Sequence, residues 1–156
     1  MKKTLISLFS LLSFLGLTAQ TPEAMAEIEV RQVPMNVVKQ MSETYPNLEV
    51  EQWYVFDELY SAKTTQEGIV HFSKFNAEGL MLEERVMKDW KDAPEQLKSG
   101  KDKTTYKYWE VKEFYEIFEN GQLDHYFLVL ENDKNEIKSM YFDQNGKLQS
   151  KSNSAY

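Results

Sequence analysis

Cysteine is absent from this chain of 156 residues, which excludes thiol catalysis, Cys-ligated zinc and a lipoprotein anchor. An excess of positive charge is also lacking, since 25 acidic residues outnumber 18 basic ones and the formal net charge is −7. A nucleic-acid-binding surface must neutralise phosphates with Lys and Arg, so this balance argues against a nucleic-acid partner. The length and the hydrophobic fraction of 42% are those of a soluble globular protein.

Long apolar runs are lacking beyond the first residues of the chain. Met1-Lys2-Lys3 precedes an apolar run over residues 5–17, and Thr18-Ala19-Gln20 follows it. A basic start, a short apolar run and a small residue before the cleavage point are typical of a secretory signal peptide. The run is shorter than the roughly 20 residues that span a bilayer. We therefore predict a signal peptide over residues 1–19 and a periplasmic or secreted protein with no membrane span after cleavage.

Catalytic motifs are lacking as well. The sequence contains no Gly-x-Ser-x-Gly, phosphate-binding loop or His-Glu-x-x-His motif, and it has two histidines in all. His71 and His125 both lie in strand patterns, which favours half-exposed strand residues over a shared two-histidine metal site. We predict that the protein is not an enzyme and has no catalytic residue, metal site or cofactor.

What the sequence does contain is an alternation of helix and strand patterns. Apolar residues at helical spacing begin at Pro34 and stop at Pro46, which predicts an amphipathic helix. Residues 48–87 read as strands separated by turns. The same order then begins again with a short helix after Pro94, which Gly100 is expected to close, and with further strands.

Similar turn signals recur in both halves. Asn120-Gly121 separates two strand patterns, and this pair favours the type I′ turn of a hairpin. Phe75 and Phe142 are each followed four residues later by a glycine. We predict an α+β fold of two tandem repeats, each a helix packed on an antiparallel meander of three to four strands. The predicted boundaries are a linker over 20–32, a first repeat over 33–88, a second repeat over 89–149 and a tail over 150–156.

The order of these features resembles the PepSY-like, β-lactamase-inhibitor-like family of exported bacterial proteins. The resemblance covers nearly all of the chain after the signal peptide and rests on Val33-Pro34, Tyr45-Pro46, Trp53, Phe75-x-x-x-Gly79, Pro94 and Phe142-Asp143-x-x-Gly146-Lys147-Leu148. It implies a fold like that of the secreted β-lactamase inhibitor proteins, here called BLIP-like. It also implies a non-catalytic binding or inhibitory role in the cell envelope.

Aromatic residues on the first long strand of the second half give one candidate contact surface. Strict alternation puts Tyr108, Phe114 and Phe118 on a face that they share with charged residues, opposite Tyr115. A sheet covered by helices on one side needs only one apolar face, so this mixed face is a candidate protein-binding surface. The alternative is that the two repeats pack on each other and bury the rings.

The first predicted hairpin tip is a second candidate contact. It places the acidic residues Asp57 and Glu58 beside Leu59 and Tyr60. In the resembled inhibitors a hairpin loop with Asp and Tyr enters the active site of the target, whereas acidic turn residues can equally serve only to keep a hairpin soluble. If the tip binds, Asp57 offers a charged acceptor and Tyr60 an amphipathic anchor.

Together these features predict an exported, non-catalytic protein-binding or inhibitor-like module that acts in the cell envelope or outside the cell. Its partner would be another envelope or secreted protein, with a hydrolase as one option. The alternative function is that of a small-molecule or cation-binding periplasmic protein that uses its acidic loops. The oxygen-rich stretch over residues 132–136 lacks the glycine and the spacing of a calcium loop.

Overall fold

Within residues 25–149, nine antiparallel strands form one sheet in which the spatial order of the strands follows the chain. A computed structural model describes residues 25–149, so the predicted signal peptide, residues 20–24 of the linker and the tail lie outside the described residues. The strands are β1 (Ala26–Ile28), β2 (Gln52–Phe56), β3 (Leu59–Gln66), β4 (Ile69–Phe75), β5 (Met81–Lys88), β6 (Glu110–Glu119), β7 (Gln122–Glu131), β8 (Ile137–Asp143) and β9 (Leu148–Gln149).

In the described part of the chain, two short α-helices, α1 (Met35–Thr44) and α2 (Glu95–Asp102), accompany the sheet, and a 3-10 turn precedes each of them at Val30–Gln32 and Trp90–Asp92. Pro34 and Pro94 occupy their N-cap positions, where the fixed proline φ suits the start of a helix. The expected end of the second helix at Gly100 is wrong, because α2 continues through this glycine and buries Lys101 in its last turn. Within residues 25–149, no helix has the length and apolar character needed to cross a bilayer.

The main core lies between the helices and one face of the sheet. Val37 and Met41 of α1 pack with Trp53 and Phe75, while Leu97 of α2 packs with residues of β6 to β8 such as Leu128. A third apolar cluster consists of strand residues alone and lies on the opposite face. We call this second face the open face, because neither α1 nor α2 contributes to its cluster.

The predicted α+β fold of two tandem repeats, each with its own helix and meander, is wrong. β5 pairs with β6 over a register that runs from Glu84 opposite Phe118 to Lys88 opposite Phe114. This pairing satisfies the backbone groups at the edges that two separate meanders would expose to solvent. The molecule is therefore mostly one continuous sheet with two short helices on one side.

The strand order gathers alternate turns at one end of the sheet. Since every neighbouring pair is antiparallel, the turns at residues 57–58, 76–80, 120–121 and 144–147 all lie at the same end, which we call the tip end. Asn120 and Gly121 have φ values of 50° and 74°, which confirms the predicted type I′ turn between β6 and β7.

Candidate functional site

The turn between β2 and β3 holds the acidic pair of the predicted contact. Asp57 and Glu58 have φ values of 48° and 64°, and both side chains are exposed. Positive φ at both central positions is the geometry of a type I′ turn, which glycine or asparagine adopts at lower cost than glutamate. Leu59 follows at once and pairs with Phe56 at the base of the turn. The tip therefore presents two carboxylates next to apolar side chains.

Tyr60 does not belong to the same surface as its neighbours in sequence. It is half-buried and packs against the core cluster beneath α1. Successive residues of a strand face opposite sides of the sheet, so Leu59 lies on the open face while Tyr60 lies on the helix face. Of the four predicted tip residues, the structure brings Asp57, Glu58 and Leu59 together.

Phe114 lies in the core beneath α2 rather than on a surface. It is 2% exposed, and its ring centroid lies 5.8 Å from that of Trp90. A β-bulge between Val111 and Glu113 inserts an extra residue into β6, so Val111 and Phe114 both face the helix side. Phe114 is therefore left out of the surface proposed below.

The other two aromatic residues of the predicted surface lie far from each other. Phe118 is half-buried on the helix face of β6, opposite Glu84. Tyr108 is 87% exposed and precedes β6, at the end of the sheet opposite the tip end. The structure does not bring Tyr108, Phe114 and Phe118 together into one patch.

A different set of aromatic residues crosses the open face from strand to strand. Their ring centroids are separated by 6.2 Å between Tyr54 and Phe72, 6.3 Å between Phe72 and Tyr115, 6.0 Å between Tyr115 and Phe127, and 4.8 Å between Phe127 and Tyr141. Tyr115 and Phe127 are buried by their neighbours, whereas Tyr54, Phe72 and Tyr141 are half-buried. We call these five residues the aromatic row.

A charged cluster lies beside the aromatic row on the open face. Lys74 Nζ lies 3.4 Å from Glu83 Oε1, and Arg85 Nε contacts the same oxygen. The Arg85 guanidinium also lies 5.8 Å from the centroid of the Phe127 ring. Burial alone would raise the pKa of Glu83, but the nearby Arg85 and Lys74 outweigh it and hold that pKa below its ordinary value. Glu83 therefore remains ionised and ties the two cations to the sheet.

A groove of about 590 Å³ connects the tip with the open face. Leu59, Leu80 and Leu82 supply its apolar lining, and the Lys74–Glu83 pair lies on its open-face side. Leu80 is 62% exposed, so its side chain is accessible to a partner. The groove, the tip and the aromatic row form one continuous candidate site.

The two histidines lie on opposite faces of the sheet. His71 Nδ1 is 3.0 Å from Glu84 Oε1 on the helix face, whereas His125 Nδ1 is 2.7 Å from Asp124 Oδ2 on the open-face side. The structure therefore does not bring His71 and His125 to one metal site. Among residues 25–149, no group of three or more His, Asp or Glu side chains is arranged to hold a metal ion.

The oxygen-rich loop at residues 132–136 uses its side chains to form a turn. Asn132 Oδ1 accepts hydrogen bonds from the backbone N–H groups of Lys134 and Glu136, each at 2.9 Å, and Asn132 Nδ2 donates to Glu136 Oε2 at 2.6 Å. These contacts give the loop a structural role as an Asx-type turn.

Sequence reasoning missed the aromatic row because it used strict alternation along one strand. The bulge in β6 reverses the assignment of faces between Val111 and Phe114. A usable signal exists on the neighbouring strand, where Tyr126, Leu128 and Leu130 alternate with Phe127 and Val129. Such a strand is apolar on both faces, and its two apolar faces imply that the open face carries its own cluster.

No family model matches the sequence, and no curated protein matches it. Solved structures do match. A DUF2874 family protein from Bacteroides uniformis is 12% identical over 76% of this chain and 87% of that chain, with a TM-score of 0.68. A Bacteroides eggerthii protein, described provisionally as periplasmic, is 11% identical over 76% of this chain and 86% of that chain, also with a TM-score of 0.68.

A protein from Bacteroides fragilis described as BLIP-like also matches. It is 16% identical over 76% of this chain and 84% of that chain, with a TM-score of 0.60. Likeness at this level of identity concerns the fold alone, and it supports a BLIP-like fold for this chain. The PepSY part of the predicted resemblance stays a prediction.

Proposed function

We propose that this protein is an exported, non-catalytic module that binds another protein of the cell envelope through its open face and its tip. The observation that carries this proposal is the aromatic row, which crosses the open face from β2 to β8. Aromatic side chains dominate the energetics of protein interfaces, because they bury a large area at a small entropic cost. The partner would cover Tyr54, Phe72 and Tyr141.

The geometry of the site favours a protein partner over a small ligand. The row lies on a broad sheet face, and the charged cluster of Lys74, Glu83 and Arg85 lies beside the row on the same face. Aromatic and Arg side chains are enriched in protein interfaces, which commonly combine an apolar centre with polar contacts. The BLIP-like description of the Bacteroides fragilis structure supports the same type of role and makes a hydrolase one class of partner.

The proposal includes export of the protein to the periplasm. The predicted signal peptide over residues 1–19 supports export, and the Bacteroides eggerthii protein of similar fold is described as periplasmic in provisional terms. Fractionation of cells that produce the protein tests this directly. The protein should appear in the osmotic-shock fraction with its N-terminus at or near Gln20, and recovery from the cytosol with Met1 intact contradicts it.

Affinity capture from an envelope extract with matched variants tests the binding surface. The bait carrying Tyr54→Ala and Phe72→Ala should lose the partner that the native bait retains, because the two half-buried rings supply the anchor. Tyr108→Ala is the matched control, since it removes an exposed ring from the far end of the sheet. Equal capture by all three baits, with melting temperatures showing that each is folded, contradicts the proposed surface.

A second candidate function is the binding of a small apolar molecule, which one cavity favours. A space of about 600 Å³ lies between α1 and the first strands, and Val38, Leu48, Val50 and Trp53 belong to its mostly apolar lining. Quenching of tryptophan fluorescence by a panel of apolar compounds, repeated with Val38→Trp to fill the cavity, tests it. Saturable quenching that Val38→Trp abolishes supports this function, and its absence removes it.

A further inference from the structure

The groove at the tip end has the features of a recognition site for one chemical type of side chain. Leu59, Leu80 and Leu82 line it, and Leu80 is 62% exposed. Phe56, which pairs with Leu59 across the turn, is 37% exposed. Exposed apolar groups clustered around a groove mark an interaction site more often than isolated surface leucines do. Large apolar side chains of a partner therefore fit this groove.

Four acidic residues at or next to the groove form what we call its rim: Glu119 lines the groove, Asp57 and Glu58 directly precede the lining residue Leu59, and Glu78 belongs to the turn that contributes the lining residue Leu80. All four residues are exposed. None of these four carboxylates forms an ion pair within the described part of the chain. The lysine that lines the groove, Lys74, is paired with Glu83. The rim is therefore complementary to positive charge.

We propose that the groove at the tip end binds a short segment of a partner protein in which large apolar side chains stand next to Lys or Arg. The apolar side chains enter between Leu59, Leu80 and Leu82, and the basic groups meet Asp57, Glu58 and Glu119. This inference rests on the proposed protein-binding function and adds to it the chemistry of the segment that is recognised. An acidic segment is rejected because the carboxylates of the rim repel it. A purely polar segment is rejected because it has no apolar side chain to bury in the groove.

Three labelled peptides of equal length test this with the purified chain. The probe is fluorescein-labelled Ser-Leu-Lys-Leu-Lys-Ser, and its controls replace either both lysines by glutamate or both leucines by serine. Fluorescence anisotropy at low salt should give saturable binding of the probe, with each control at least about tenfold weaker. Equal binding of the glutamate peptide overturns the inference, as does no binding of the probe.

Variants of the protein locate the binding. Glu58→Gln and Leu80→Ser should each raise the dissociation constant of the probe by about threefold to tenfold, since one removes a rim charge and the other an exposed apolar contact. Glu67→Gln is the control, because Glu67 is an exposed turn residue with positive φ at the opposite end of the sheet. Equal affinity in all variants overturns the assignment to the groove.

The same variants separate this inference from the proposed function. If the envelope partner is lost with Tyr54→Ala and Phe72→Ala but the probe does not bind, the groove inference fails and the open-face function stands. If the probe binds through Glu58 and Leu80 but no envelope protein depends on Tyr54 and Phe72, the groove stands as a peptide site and the open-face function fails.

Discussion

At the scale of single residues, Glu58 stands out because its backbone conformation does not suit its side chain. Its φ of 64° lies in the left-handed region, where a residue with a Cβ atom is destabilised by about 1–2 kcal/mol. The other two-residue turns of this type, at residues 67–68 and 120–121, have glycine at the second central position. Glutamate at this position places a carboxylate next to Leu59 of the groove lining.

The substitution Glu58→Gly should therefore separate stability from binding. Glycine adopts the left-handed region without strain, so we expect the free energy of unfolding to rise by about 1 kcal/mol. Binding of the basic probe peptide should weaken at the same time, since a rim carboxylate is lost. Chemical denaturation and anisotropy titration measure the two effects on the same preparation.

The control for this prediction is Glu67→Gly, which makes the same chemical change at φ 52° in the turn between β3 and β4. It should stabilise the fold without altering peptide binding. Weakened binding in both variants would point to the overall charge of the protein rather than to the tip.

Lys101 is a second residue in an unfavourable environment, because its charged side chain is buried. It is 6% exposed at the seventh position of α2, where α1 has the buried Met41, and its Nζ donates a hydrogen bond of 2.8 Å to the carbonyl oxygen of Lys107. Burial lowers the pKa of Lys101 below its ordinary value, and Asp102 offsets part of this effect. The folded state thus favours the neutral amine more than the unfolded state does.

Lys101→Met should raise the free energy of unfolding at neutral pH by about 1 kcal/mol, because a buried charge is replaced by an apolar side chain of similar length. The lowered pKa of Lys101 decides how this stability advantage changes with pH. The cost of burying the ammonium group is fully present below the folded pKa and is relieved as the pH rises toward 10.5. The advantage of the variant, measured by denaturation at pH 7 and pH 10, should therefore shrink at the higher pH. An advantage independent of pH, or none, contradicts this account.

At the scale of elements, the turn after β8 is locked to α2 by direct contact of backbones. Gly146 has a φ of 75°, and a Cβ atom there would overlap the carbonyl group of Gln96 in α2. The equivalent contact in the first half lies between Gly79 and Asn36 of α1, where a Cβ would come within 2.7 Å of the carbonyl oxygen. The backbone of each helix therefore packs directly against a glycine of a tip-end turn.

Gly146→Ala should be strongly destabilising, by about 3 kcal/mol or more, because α2 must move to make room for the added carbon. Gly121→Ala is the matched control. Gly121 has nearly the same φ, 74°, but nothing lies within 4 Å of the added atom, so only the backbone cost of about 1–2 kcal/mol applies. Thermal unfolding of both variants gives the comparison, and equal losses would contradict the close contact with α2.

At the scale of the whole molecule, the β5–β6 pairing joins the two halves of the sheet into one hydrogen-bonded sheet. Five residue pairs join the strands that lead from one helix region to the other. The two core clusters beneath the helices, one around Val37 and one around Leu97, rest on the same sheet. Elements that share a continuous hydrogen-bonded sheet are expected to lose their structure together.

We therefore expect a single cooperative unfolding transition. Leu97→Ala should lower its midpoint with a loss of about 3 kcal/mol, and Val37→Ala should lower the same midpoint by less, since fewer buried carbons are removed. Calorimetry together with far- and near-ultraviolet circular dichroism measures this. Two transitions, each moved by one variant only, would show that the halves unfold separately.

The sequence determined the parts of this protein that depend on near neighbours. The start of α1 after Pro34 and the Asn120-Gly121 turn follow from local backbone chemistry, because the preferred φ and ψ values of a few residues decide them. The acidic tip at Asp57 and Glu58 was also identifiable, since a turn between two strand patterns must lie at the surface.

Only the tertiary structure decided which faces and which halves come together. The bulge at Lys112 turned Phe114 into the core and left Tyr115 on the open face, and one extra residue of this kind has no signature in the alternation pattern. The pairing of β5 with β6 joined the expected repeats into one sheet, because edge strands gain hydrogen bonds from partners distant in sequence. The aromatic row and the groove at the tip end exist because the continuous sheet places side chains from both halves of the chain on one face.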